Sequence, residues 1–105
     1  MNQSPFRWGI IGPGRIAHAF ARAIAVVDDA VIHAVASRDH DRAQEFAQQF
    51  EIPTTYTAYT DLIADPEIDA IYIAIPHRFH FEQALRCLEA GKPVLCEKPL
   101  TVNAR

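Results

Sequence analysis

Apolar residues along this chain gather in two ways: in short unbroken runs, and in longer stretches where they return every three or four positions. Phe6 to Ile11 is a run that stops at Gly12 and predicts a first strand. From Arg15 to Val27, residues Ile16, Phe20, Ile24 and Val27 recur at helical spacing, while Arg15, His18 and Arg22 fall elsewhere, predicting a helix with one buried stripe. Val31 to Ala36 predicts strand two. Asp39 to about Phe50 predicts a second helix with Ala43, Phe46, Ala47 and Phe50 inward, stopped by Pro53. Thr54 to Tyr56 predicts a short strand, and Tyr59 to Ala64 a brief helix. Asp69 to Ile75 predicts strand four, apolar continuously rather than alternately, as in a parallel strand covered on both faces. Arg78 to Ala90 predicts a helix burying Phe81, Ala84, Leu85 and Leu88, with Gly91 as a left-handed cap and Pro93 blocking continuation. Pro93 to Cys96 is strand five. Strands alternating with helices in this way imply an α/β, doubly wound parallel sheet, a Rossmann fold.

The first strand-to-helix junction reads Gly12-Pro13-Gly14-Arg15-Ile16-Ala17, the pattern G-x-G-x-x-G/A. Gly12 allows the tight turn, Gly14 admits a pyrophosphate close to the backbone, and Ala17 permits close helix–strand packing. Unspent N–H groups and the dipole at the helix start face the anion. The letters alone are a weak signal; their place between strand and helix is the context the motif requires.

Strand two ends at Ser37-Arg38, where an NAD-binding chain usually carries an acidic residue for the ribose 2′-hydroxyl. Asp39 is placed instead to cap the second helix. A guanidinium that stacks on adenine and pairs with a 2′-phosphate, aided by the Ser37 hydroxyl, favours NADP, with NAD possible. The competing reading is a solvated arginine at a helix entrance. Ligands in an open parallel sheet lie beyond the carboxyl ends of the strands, where Ile75-Pro76-His77 and Glu97-Lys98-Pro99 also fall. His77 and His80 lie near the start of a helix, where a histidine also serves as a plain terminal hydrogen bonder. Lys98 follows strand residues and precedes a proline that keeps it extended, over the cleft where a nicotinamide would lie. A lysine ordinarily titrates near ~10.4, and a cationic nicotinamide with partial burial would lower it. Glu97 points to the opposite side and is assigned to cofactor ribose or structural contacts.

Composition narrows the function classes. The 105 residues fit one domain, half of them hydrophobic and 22% charged. A formal charge of −3 leaves no basic footprint for nucleic acid and no polybasic membrane anchor. No apolar run has transmembrane length, and Met1 to Pro5 lacks signal-peptide character. Cys87 and Cys96 lack metal spacing and read as reduced, mostly buried thiols, so a cytoplasmic location and no metal are expected.

Together the glycine turn, Pro76 with His80, and Ala90-Gly91-Lys92-Pro93-Val94-Leu95-Cys96-Glu97-Lys98-Pro99 resemble the N-terminal domain of the glucose-fructose oxidoreductase/inositol dehydrogenase family, Gfo/Idh/MocA. The resemblance runs through the whole chain. Ala36-Ser37-Arg38-Asp39, Arg42-Ala43, Ile52-Pro53 and Tyr56 are similar to its NADP-linked dihydrodiol dehydrogenase members. It implies hydride transfer between nicotinamide C4 and a secondary alcohol of a sugar, cyclitol or diol. Lys98 would hydrogen-bond the reacting hydroxyl and help move its proton, and His80 would serve on the cofactor side. His77 departs from the asparagine or small polar residue of many members. Such enzymes carry a second, C-terminal α+β domain that binds the small-molecule substrate and builds the homo-oligomer. Residues 1–105 are therefore expected to be the NAD(P)-binding domain, truncated after the fifth strand, binding cofactor weakly without turnover. The alternative is an NAD(P)-sensing module that catalyses nothing.

Overall fold

A computed structural model describes residues 5–75 and 80–96, with 80, 81 and 96 described for their backbone only. The elements run β1 (Phe6–Ile11), α1 (Arg15–Ala25), β2 (Ala30–Ala36), α2 (His40–Phe50), β3 (Thr54–Tyr56), α3 (Tyr59–Ile63), β4 (Ala70–Ile73), α4 (His80–Glu89) and β5 (Val94–Cys96). The five strands are parallel in the order β3-β2-β1-β4-β5, the doubly wound sheet expected. A register shift after Trp8 moves the β2 partner from Ile32 to Ala34 and leaves His33 as the extra residue of a bulge.

Side chains alternate along the central strands and supply two separate cores. Ile11, Ala34, Ala36, Ile71 and Ile73 face Leu62, Ile63, Ile68 and Cys87 on the α3 and α4 side. Ile10, Val35 and Tyr72 face Ala17, Ala21, Phe46 and Ala47 on the α1 and α2 side. Period-two alternation with both faces apolar is what makes β4 a continuous hydrophobic run, and all four of its residues are buried. It is shorter than the sequence suggests. Asp69 is spent earlier, accepting from the Arg7 N–H at 2.8 Å and donating its own N–H to the Arg7 carbonyl.

Two helix faces differ from the expected ones. In α1 the buried residues are Ala17 and Ala21, Phe20 and Ile24 are half-buried, and Ile16 is 44% exposed, as is Val27, which lies beyond the helix end at Ala25. The helix lies so close to the sheet that small residues meet it, and Phe20 reaches out to stack on Tyr72 at a centroid distance of 4.0 Å. In α4 the inward residues are Gln83, Ala84 and Cys87, whereas Leu85 and Leu88 are 46% and 63% exposed. Phe81's side chain lies outside the described residues. The true face is rotated by about one residue from the leucine stripe. Gly91 has the predicted left-handed conformation at φ 80°, and the Lys92 N–H donates to the Cys87 carbonyl at 2.9 Å to close the helix.

Candidate functional site

Strand order reverses between β1 and β4, and the turn after β1 sits at that point. Gly12 adopts φ 93°, where a side chain is strained, and a Cβ there would meet Ile75 Cγ2 at 2.7 Å and the Ala74 carbonyl oxygen at 3.1 Å. Its N–H donates to the Ala36 carbonyl at 2.9 Å, while the Ala74 N–H donates to the Ile11 carbonyl at 2.8 Å. The turn is thereby tied to β2 on one side and to the chain leaving β4 on the other. Gly14 differs: a Cβ on it would meet nothing within 4 Å. It caps α1 without a side-chain hydrogen bond, and the first turn of α1 holds no acidic residue. The first N–H groups of the helix are left for an anion, and the dipole favours one.

A cleft of about 290 Å³ opens against this turn, lined by Gly12, Pro13 and Gly14 together with Ser37, Arg38, Arg42 and Ile75. Of the residues the sequence nominated, Gly12, Pro13, Gly14, Ser37, Arg38 and Ile75 are thus brought together. Arg15 and Ile16 form the start of α1 with exposed side chains outside this lining, and their backbone N–H groups open the helix. His80 opens α4. Pro76, His77, Glu97 and Lys98 lie outside the described residues.

Ser37 is 6% exposed; its Oγ accepts the Asp39 N–H at 3.0 Å, which leaves its own O–H able to donate into the cleft. Its N–H donates to the Tyr56 carbonyl, fixing the end of β2 against β3. Arg38 lies over the Tyr59 ring with its guanidinium carbon 5.3 Å from the centroid. Asp39 accepts the Arg42 N–H on Oδ1 at 3.3 Å and caps α2, as the sequence predicted, and it too lines the cleft.

Arg42 is a cleft residue that the sequence reading missed. A signal was present: a cation in the first turn of a helix faces the positive end of the dipole, an arrangement that a bound anion relieves. His18 was also assigned to a polar face. It is half-buried, its ring edge-on to Phe46 at 4.9 Å, and its Nδ1 lies 2.9 Å from the Gly14 carbonyl oxygen, to which the Nδ1–H tautomer donates. It holds the second glycine from behind.

The donor set fits a dinucleotide: amides for a pyrophosphate, space at Gly14 for its close approach, and two guanidiniums at the rim. Among the described residues there is no cluster of side chains suited to a metal ion, and no helix is long and apolar enough to cross a membrane.

Comparison with known proteins agrees with this architecture. The chain is 47% identical over 100 residues to the trans-1,2-dihydrobenzene-1,2-diol dehydrogenase of Mus musculus, covering 93% of this chain and 30% of that protein. Among solved structures, a 3-ketoreductase from Actinomadura kijaniata in complex with TDP-benzene and NADP superposes with a TM-score of 0.86 at 36% identity, covering 93% of this chain and 31% of that one. The scyllo-inositol dehydrogenase of Lactobacillus casei with bound NAD(H) and scyllo-inositol gives 0.84 at 28% identity, covering 95% and 30% respectively. The chain thus spans about 30% of the length of the curated relatives it matches. Residues 6–105 match the oxidoreductase family with an NAD-binding Rossmann fold. A glycine turn at the switch point of a five-stranded parallel sheet, in a chain matched over that range, places this protein in the Gfo/Idh/MocA oxidoreductase family, of which it is the NAD-binding domain.

Proposed function

We propose that this chain is the NADP-binding part of a dehydrogenase that moves a hydride between nicotinamide and a secondary alcohol of a diol, cyclitol or sugar. The observation that carries the cofactor reading is the pairing of Gly14's open approach with Arg38 and Arg42 in one cleft. The amides at the start of α1 hold the pyrophosphate, and Ser37, Arg38 and Arg42 surround a 2′-phosphate. Asp39 spends one carboxylate oxygen on capping α2, and the two cations beside it favour a 2′-phosphate. The A. kijaniata relative was solved with NADP and the L. casei relative with NAD(H), so the choice of NADP rests on the rim arginines.

The nicotinamide ring, when bound, supplies the hydride acceptor or donor. On the protein's side, Lys98 hydrogen-bonds the reacting hydroxyl and takes or returns its proton, and Glu97 holds the adjoining ribose. Pro76 fixes the chain beside the pyrophosphate, with His80 on the cofactor side and His77 toward the nicotinamide end. Substrate choice and homo-oligomer assembly belong to the further length that the relatives possess, in a C-terminal α+β domain. The diol and inositol substrates in two relatives' names support the polyol class.

Isothermal titration tests the cofactor assignment. NADP⁺ should bind about tenfold or more tightly than NAD⁺, the worth of one charge-assisted contact. Arg38→Ala with Arg42→Ala should erase the difference. Selection for NAD⁺ by the unaltered chain would refute it. In the full-length protein, Lys98→Met should abolish turnover of diols while leaving NADPH affinity within about threefold; retained turnover would remove Lys98 from the chemistry.

A further inference from the structure

Gly14 is a loose place to begin a helix. It caps α1 with extended backbone at φ −85° and ψ −167°, and no side chain closes the cap. A serine or aspartate there would lock the first turn, but it would also fill the opening through which a pyrophosphate approaches. Glycine keeps the opening clear and leaves the peptide free to rock.

The missing constraint comes from one turn further along the helix. The Gly14 carbonyl accepts twice from His18, from its N–H at 3.1 Å and from Nδ1 at 2.9 Å. A carbonyl oxygen can only accept, so Nδ1 carries the proton. The ring itself is gripped from α2: it stands edge-on to Phe46 at 4.9 Å and to Phe50 at 5.5 Å, and Phe46 is buried. Neither the imidazole nor these two aromatic rings lines the cofactor cleft. Arg42, which does line it, stands in the first turn of the same helix.

The peptide between Gly14 and Arg15 is planar and trans, so the Arg15 N–H points opposite to the Gly14 carbonyl. Two donors draw that carbonyl inward along α1, which aims the N–H off the start of the helix. Accepting hydrogen bonds also polarises the peptide and strengthens its N–H as a donor. We propose that His18 is a positioning residue for the pyrophosphate: its imidazole clamps the Gly14 carbonyl and thereby aims the Arg15 amide at the phosphate. This rests on the cofactor reading, in which the amides at the start of α1 hold the pyrophosphate.

Two variants, each titrated calorimetrically with NADPH and with NADH, separate the clamp from plain packing. His18→Phe keeps a ring against Phe46 and Phe50 but has no donor. It should weaken both dinucleotides by about fivefold, the worth of one hydrogen bond, because both carry the pyrophosphate. His18→Asn gives up the ring but sets an amide N–H where Nδ1 stood. Its affinities should stay within about twofold of the unaltered chain, whatever it loses in melting temperature. A role in packing alone predicts the reverse order. Undiminished affinity in His18→Phe, a loss confined to NADPH, or binding as weak in His18→Asn as in His18→Phe would overturn the clamp and leave the cofactor reading standing. Should either variant fail to fold, nitrogen NMR of the labelled, unaltered chain decides: a proton on Nδ1 of His18 supports the clamp, and a ring protonated on Nε2 alone overturns it. Failure of both dinucleotides to bind the unaltered chain would remove the cofactor reading itself, and this role of His18 with it.

Discussion

Gly12 and Gly14 stand two positions apart and answer different demands. At Gly12 the requirement is internal: φ is 93°, and an added methyl would press on Ile75 and on the Ala74 carbonyl. That carbonyl cannot easily yield, because the Ala74 N–H is bonded to β1. Gly12→Ala should therefore cost about 2–4 kcal/mol, combining left-handed strain with overpacking. Gly14 has φ −85° and open space where a Cβ would go. Gly14→Ala should leave folding stability within about 0.5 kcal/mol but place a methyl in the cleft and lower NADPH affinity by about tenfold or more. Melting each variant and titrating each with NADPH separates the two roles. A Gly14→Ala protein that melts as low as Gly12→Ala would show that both glycines serve the fold. The sequence motif names both residues, but the division of labour needs φ and the neighbouring atoms, which lie more than sixty residues away in the chain.

At the level of elements, the loop joining α3 to β4 carries a polar knot that no motif announced. Asp65 is buried, accepting the Tyr56 hydroxyl and the Glu67 N–H, each at 2.8 Å, with His33 Nε2 at 3.5 Å. Burial pushes its carboxyl upward, but the Glu67 amide, the Tyr56 hydroxyl and the His33 and Lys92 charges together outweigh it and hold the pKa below the ordinary value. A depressed carboxylate contributes stability that is complete above its unfolded pKa of about 3.9 and disappears as pH falls through the lower folded value. Asp65→Asn should cost about 1–3 kcal/mol near pH 7 and flatten the decline of the urea midpoint below about pH 4. A variant whose midpoint falls with acid in parallel with the unaltered protein would deny Asp65 that part. The knot escaped sequence reading because His33 reaches it only through the β2 bulge, which hydrophobic pattern does not encode. The helix faces of α1 and α4 escaped for a related reason. Periodicity favours the largest apolar residues, Ile16 and Leu88, while the contact with the sheet selects the small ones, Ala17 and Cys87. In α2 large and small coincide on one face, and Ala43, Phe46 and Ala47 are buried as expected.

Across the whole molecule, the strand order sends the ends of β1, β2 and β4 to one edge, and the described cleft residues hang on those ends or on the helix that follows, with Tyr59 added from the start of α3. The place of this candidate cleft was therefore legible once five alternating elements were recognised, since a parallel sheet with right-handed crossovers leaves few other places for it. Arg42 was missed despite the signal of a cation at a helix start, because it belongs to a cleft whose other wall comes from a different crossover. The same convergence links cofactor binding to folding. The amides, Arg38 and Arg42 stand together only in the folded chain, so a ligand held there must stabilise it. At one hundred times its dissociation constant, NADPH should add about 2.7 kcal/mol. For a domain near this size each kcal/mol raises the melting temperature by roughly 4–8 °C, so the expected rise is on the order of ten degrees. NADH at the same concentration, bound about tenfold more weakly, should give about 1.4 kcal/mol less. Arg38→Ala with Arg42→Ala should close that gap without lowering the melting temperature of the ligand-free chain by more than a few degrees, because both side chains are exposed. If NADH stabilises the unaltered chain as much as NADPH does, the two rim arginines hold no 2′-phosphate, and the amides at the start of α1 alone account for binding.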